Sequence, residues 1–141
     1  MKHKVFAIDF DGTIATEHEF PEAGQLIDFA APVIRTIHDL GGIIIIWTCR
    51  SGEALDNAID FLHKNNIPYD YVNENCGYMK DLYSNDPRKI GADIYLDDKS
   101  CFTDEYDWKG FIEHEFDDTL ELNLLACHVL DEFGKLGEAL G

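Results

Sequence analysis

Residues 5–14 read VFAIDFDGTI, an apolar run that ends in two carboxylates one residue apart. Val5 to Ile8 show no polar alternation, which is the pattern of a strand buried on both faces. An extended chain sends Asp9 and Asp11 to the same side, and Gly12 then lets the backbone turn away. Like charges held that close repel, so a strand with this ending calls for a cation. An Asp-Gly turn explains Asp11 and Gly12 but not Asp9, and no matching strand follows at hairpin spacing. A calcium loop of the D-x-D-x-D-G kind fails because Gly12 comes too early and Thr13 stands where a third acid is needed. The favoured reading is a magnesium site for phosphoryl chemistry, with one carboxylate as nucleophile and ligand and the other handling protons.

Outward from this stretch, apolar runs alternate with amphipathic ones. APVIRTIHDLGG (31–42) predicts a helix: Pro32 suits its first turn, Val33, Ile34, Ile37 and Leu40 recur at helical spacing, and Gly41 and Gly42 stop it. IIIIWT (43–48) predicts a second strand covered on both faces. Ser51 is expected to cap the helix GEALDNAIDFLHKNN (52–66), with Leu55, Ile59 and Leu62 facing inward. YDYVN (69–73) and ADIYL (92–96) predict two further strands, WKGFIE (108–113) reads as an edge strand, and TLELNLLACHVLDEFGKL (119–136) as a long closing helix. Strand and helix in alternation indicate an α/β fold with a mainly parallel sheet, whose ligands bind beyond the carboxyl ends of the strands. Those ends carry Asp9, Thr48, Asn73, Asp97 and Asp98.

Four elements now line up in order. DFDGT (9–13) resembles the first motif, D-x-D-x-T, of the haloacid dehalogenase-like (HAD) superfamily, most of whose members are phosphatases. The apolar strand ending at Thr48 resembles the second motif, and KIGADIYLDD (89–98) resembles the third and fourth, as Lys89 and the Asp97–Asp98 pair. The resemblance spans residues 5–98. It implies a three-layer Rossmann-like fold, Mg²⁺ as cofactor, and a role for each residue. Asp9 would attack phosphorus to give an aspartyl-phosphate. Asp11 would protonate the leaving oxygen and later activate water. Thr48 would hydrogen-bond a phosphoryl oxygen, and Lys89 would neutralise transition-state charge. Mg²⁺ would be held by Asp9, the Asp11 backbone carbonyl, Asp98 directly and Asp97 through water. Gly12, Cys49, Arg50 and Asn73 complete the expected substrate-binding set. An acid at position 11 resembles the phosphatase and phosphomutase branches and disfavours dehalogenation.

Other readings accompany these. Lys80 is a rival to Lys89, which lies closer to the fourth strand. Arg50 is either a helix-entry residue or a leaving-group contact, and Asn73 and Asn75 are turn formers or substrate ligands. Asp117 and Asp118 are expected to favour the N-terminus of the last helix. Between the first and second motifs, and between the second and third, there is room only for a short flap and ordinary core elements, so no cap domain is expected. A response-regulator receiver uses similar residue types, but there the acceptor Asp follows the third strand, which here ends in VNEN (72–75).

Composition bounds the partners. The chain has 141 residues, suited to one domain spanning 1–141, and 28 Asp and Glu against 11 Lys and Arg give a formal charge of −17. Such a field repels nucleic acids and anionic membranes, which favours a small phosphorylated molecule, a sugar phosphate or nucleotide, over a nucleic acid, with a phosphoprotein as the alternative. Capless relatives act on macromolecules or on small substrates enclosed partly by a neighbouring subunit, which leaves a homo-oligomer open. Cys49, Cys76, Cys101 and Cys127 lack zinc spacing and suit free thiols of a reducing cytoplasm, and no segment reads as a signal peptide or membrane span.

Overall fold

A computed structural model describes residues 1–99 and 107–140, the side chains of 135–140 excepted; Cys101 lies outside the described residues. The elements are β1 (Val5–Ile8), α1 (Ala30–Asp39), β2 (Ile43–Ile46), α2 (Gly52–Lys64), β3 (Tyr71–Val72), α3 (Gly77–Tyr83), β4 (Ile94–Leu96), α4 (Trp108–Glu115) and α5 (Thr119–Leu140). The four strands form one all-parallel sheet in the order β3-β2-β1-β4. The fold class is α/β.

The sheet explains the unbroken apolar runs. Phe6, Ile8, Ile44, Ile46 and Leu96 point to one face, where they bury against Val33, Ile34 and Ile37 of α1, Ala58 and Leu62 of α2, Trp108 and Phe111 of α4, and Leu125 of α5. Ala7 and Ile45 point to the other, against Ile90, with Val5, Ile43, Tyr71, Ala92 and Tyr95 around them. A fully buried Phe or Ile is worth about 1.5–3 kcal/mol, so a polar residue on either face would be selected against by the fold itself. Phe111 binds the first cluster together, its ring edge-on to Phe6, Trp108 and Phe116. Polar pairs fix α5 across α1: Arg35 with Glu132, and His128 Nε2 with Asp39 at 2.6 Å.

Three local expectations change. The segment 108–113 is not an edge strand but the start of α4. Asp107 accepts hydrogen bonds from the backbone N–H of Lys109 and Gly110, and Trp108, Phe111 and Glu115 bury one helical face. Helix α2 does begin after Ser51, yet that side chain makes no capping hydrogen bond. Its fully buried stripe is Ala54, Ala58 and Leu62, with Leu55 and Ile59 half-buried beside it. The small alanines let the helix approach closely, which displaces the larger residues to the flanks. Helix α3 was not expected from the sequence, because none of its residues is buried and no apolar stripe marks it. At the closing helix, Asp118 accepts from Leu120 N at 2.7 Å, the helix-start role expected of that acidic pair.

Candidate metal centre

The ladder runs on past the strand ends. Asp9 N donates to Leu96 O, Trp47 N to Ile8 O and Asn73 N to Ile46 O, each at 2.9 Å. Because Ile8 pairs with both Ile46 and Leu96, this continuation sets Asp9, Trp47 and Asp97 side by side at the carboxyl edge. Alternation along the strands turns all three toward the Ala7, Ile45 and Tyr95 face.

Carboxylate oxygens of Asp9, Asp97 and Asp98 lie within 4.8 Å of one another. Burial raises the Asp9 carboxyl from 3.8 to about 7, and the negative charge of Asp97 and the hydrogen bond and charge of Asp98 push in the same direction. The glycine foreseen at position 12 has a specific use here. Its φ is +81°, and a Cβ there would stand 2.4 Å from Asp98 Oδ2, so only glycine lets that carboxylate close on Asp9. Three hard oxygen donors this close together, with Asp9 hindered from ionising, are a set that could hold a metal cation. Lys99 Nζ is 3.9 Å from Asp98 Oδ2 but is itself largely exposed, and offsets little of that charge.

Thr13, not singled out in the sequence beyond its place in the motif, is the buried post behind this cluster. Its hydroxyl accepts from Asp98 N at 3.1 Å and reaches Asp9 Oδ2 at 3.4 Å, while Trp108 Nε1 donates to its carbonyl at 2.8 Å. Helix α4 is thereby tied to the centre. Thr48 is buried at the end of β2; its N–H donates to Asn73 Oδ1 at 2.8 Å, and its hydroxyl accepts from Arg50 N at 3.1 Å. Asn73 itself has φ +53°, so it both forms the turn and holds Thr48. Cys49 is exposed.

Arg50 resolves the choice left open by the sequence. It is 4% exposed, and every N–H it owns is taken. Nε and Nη2 form a two-pronged pair with the Asp11 carboxylate, both at 2.8 Å. Nη1 donates to Pro21 O and Ala54 O, and Nη2 also to Glu22 O, while the guanidinium sits over the rings of Phe10 and Phe20. It therefore binds Asp11, α2 and the segment 16–25 into one unit and has no donor left for a leaving group. That segment folds back along the chain, Thr16 N donating to Gln25 O and Ile27 N to Ile14 O.

The two lysines also separate. Lys80 is paired with Glu74 at 2.7 Å and lies over the Tyr71 ring. Lys89 is exposed, with no ion pair among the described residues, and its backbone carbonyl accepts from Asn75 Nδ2 at 3.3 Å. No contact brings its ammonium to Asp9. Asn75 is fully buried and organises the approach to β4, donating also to Asp86 and Pro87 O and accepting from Gly91 N.

Among solved structures, the chain is similar to a conserved protein coded by a locus of Bacteroides thetaiotaomicron, at 28% identity and a TM-score of 0.66 over 84% of this chain and 95% of that one. A structural-genomics target from Vibrio cholerae is matched at 19% identity and a TM-score of 0.49, over 87% and 97% of the two chains. No family model matches the sequence, and no curated protein does. Among the described residues, no helix is long and apolar enough to cross a membrane.

Proposed function

We propose that this chain is a capless, Rossmann-like HAD-type phosphatase that hydrolyses a small phosphomonoester through an aspartyl-phosphate. The observation that carries the reading is the three-carboxylate cluster at the strand ends, with Asp9 raised to about 7 first by burial and then by its acidic neighbours. Such a cluster is costly to a fold and is tolerated where a cation or a reaction uses it. Asp9, Asp97, Asp98 and the Asp11 carbonyl would hold Mg²⁺, which supplies positive charge for the phosphoryl oxygens when bound.

Asp9 attacks phosphorus as a carboxylate, and the bond from phosphorus to the leaving oxygen breaks. Thr48 Oγ1 keeps its own proton to donate to a phosphoryl oxygen. Asp11 gives a proton to the leaving oxygen and then takes one from the water that opens the acyl phosphate, which regenerates Asp9. For this, Arg50 must release part of its grip on Asp11, and Lys89 must swing inward from solvent. Those two demands favour one other reading, a metal-binding module on the same scaffold with no turnover.

Phosphate release from p-nitrophenyl phosphate and a panel of sugar phosphates and nucleotides decides between them, measured with Mg²⁺ or EDTA for wild type and Asp9→Asn. Turnover that needs Mg²⁺ and vanishes in the variant supports the phosphatase. Mg²⁺ binding without release from any substrate supports the module.

A further inference from the structure

Trp47 occupies the position next to Asp9 in the sheet, one strand over, where neighbouring chains lie about 4.8 Å apart. It remains 39% exposed although its neighbours Ile46 and Thr48 are buried. Its ring is braced by Tyr95, with centroids 5.6 Å apart and planes at 51°. Tyr95 is fixed in turn by its hydroxyl, which donates to Ile90 O at 2.5 Å. The indole N–H has no partner among the described residues. A large, pre-positioned aromatic surface thus stands open beside the acidic cluster, on the same face of the sheet.

Of the cations near this edge, Arg50 is committed to Asp11 and three carbonyls, Lys80 to Glu74, and Lys99 lies beside Asp98, while the exposed Lys89 is needed at the phosphoryl group in the proposed reaction. Recognition of whatever carries the phosphate therefore falls to stacking rather than to an ion pair. We infer that Trp47 is a stacking platform for the leaving group, so that the substrate is a phosphomonoester bearing a ring. This rests on the proposed phosphatase reading and narrows its substrate. A nucleobase and a sugar both present a face that packs on indole, and the choice between them is an outcome of the test.

The test compares kcat and KM for adenosine 5′-monophosphate, glucose 6-phosphate and the acyclic glycerol 3-phosphate in wild type, Trp47→Ala and Trp47→Phe, with thermal melting to establish folding. Trp47→Ala should raise KM about tenfold for at least one ring substrate, with kcat within about twofold and glycerol 3-phosphate unchanged, and Trp47→Phe should restore most of the loss. Whichever ring substrate is affected names the source. Equal effects on cyclic and acyclic substrates, or none on either ring, overturn the platform.

Binding without turnover separates this failure from failure of the phosphatase reading. Tryptophan emission is titrated with adenosine 5′-monophosphate and p-nitrophenyl phosphate in the Asp11→Asn background with Mg²⁺, which keeps the Asp9, Asp97 and Asp98 carboxylates in place. Trp108, 2% exposed, gives a constant signal, so quenching should disappear when Trp47→Phe is added. If no substrate turns over but this quenching is seen, the platform stands and the phosphatase reading falls. If neither turnover nor quenching is seen, the platform falls with it.

Discussion

Replacing Asp9 by Asn tests the electrostatics of the centre before any substrate is known. In the folded protein the Asp9 carboxyl sits at about 7 rather than 3.8, with burial the largest cause and Asp97 next. A carboxyl raised on folding contributes stability only while protonated: fully below about 3.8, and lost as pH rises through about 7. At about 1.4 kcal/mol per pH unit the shift sets a ceiling of about 4 kcal/mol. Asp9 is only half-buried, so solvent screening reduces this to about 1–2 kcal/mol. Asparagine has nearly the same shape and no charge at any pH. In EDTA at pH 8, Asp9→Asn should therefore melt about 3–8 °C above wild type, with the gap falling to under half at pH 5. Mg²⁺ should raise the wild-type midpoint at pH 8 and leave the variant almost unmoved, closing the gap. Differential scanning calorimetry across pH 5–8, with Mg²⁺ and with EDTA, reads all of this. A variant no more stable than wild type at pH 8 in EDTA, or a gap that ignores pH, would refute the raised Asp9 carboxyl and with it the electrostatic case for a cation.

Other consequences are independent of that experiment. Gly12→Ala drives a Cβ into Asp98 at a positive φ and should cost about 1–3 kcal/mol in urea unfolding while weakening Mg²⁺ binding by calorimetric titration; unchanged Mg²⁺ affinity would show that Asp98 is not a ligand. Arg50→Lys cannot reproduce the planar fork and should destabilise by about 2–4 kcal/mol, with faster proteolysis within residues 16–25; wild-type stability would mean that Asp11 and the segment are held by something else. Trp108→Phe keeps most of the packing but loses the bond to the Thr13 carbonyl, costing about 1–2 kcal/mol in the same unfolding assay and lowering Mg²⁺ affinity through the Thr13 post. Stability lost with Mg²⁺ affinity intact would confine Trp108 to the core.

The strands and the two long amphipathic helices were legible because their signals are local. A β-branched run reads the same wherever it lies, and the stripe of α1 is written in Val33, Ile34 and Ile37. Helix α4 was misread because WKGFIE is short, apolar at several positions and contains Gly110, a composition that also suits an edge strand. What makes it a helix is Asp107 at its start and the groove that takes Trp108 and Phe111, and the second of these exists only after the sheet has formed. Helix α3 gave no signal because it buries nothing. At the site, Asp9, Gly12, Asp97 and Asp98 could be named from their places at strand ends, since parallel β1 and β4 leave those ends together.

The sequence by itself determined the α/β class and the places of Asp9, Asp97 and Asp98 at strand ends, because each follows from side-chain period over a few residues; the Asp9–Asp11 repulsion expected from it is instead relieved by Arg50, which takes the Asp11 carboxylate, and the crowding falls on Asp9, Asp97 and Asp98. Only the tertiary structure decided what Arg50, Lys89, Thr13 and Trp47 are placed to do. Arg50 could have faced outward to a ligand. Its five donors went instead to Asp11 and three carbonyls of other segments, a set that no sequence window contains. Thr13 became a post because α4 reached its carbonyl from 95 residues away, and Trp47 stands open because the sheet register puts it beside Asp9. Local patterns fix which face a residue takes, whereas its partners depend on where the rest of the chain comes to lie.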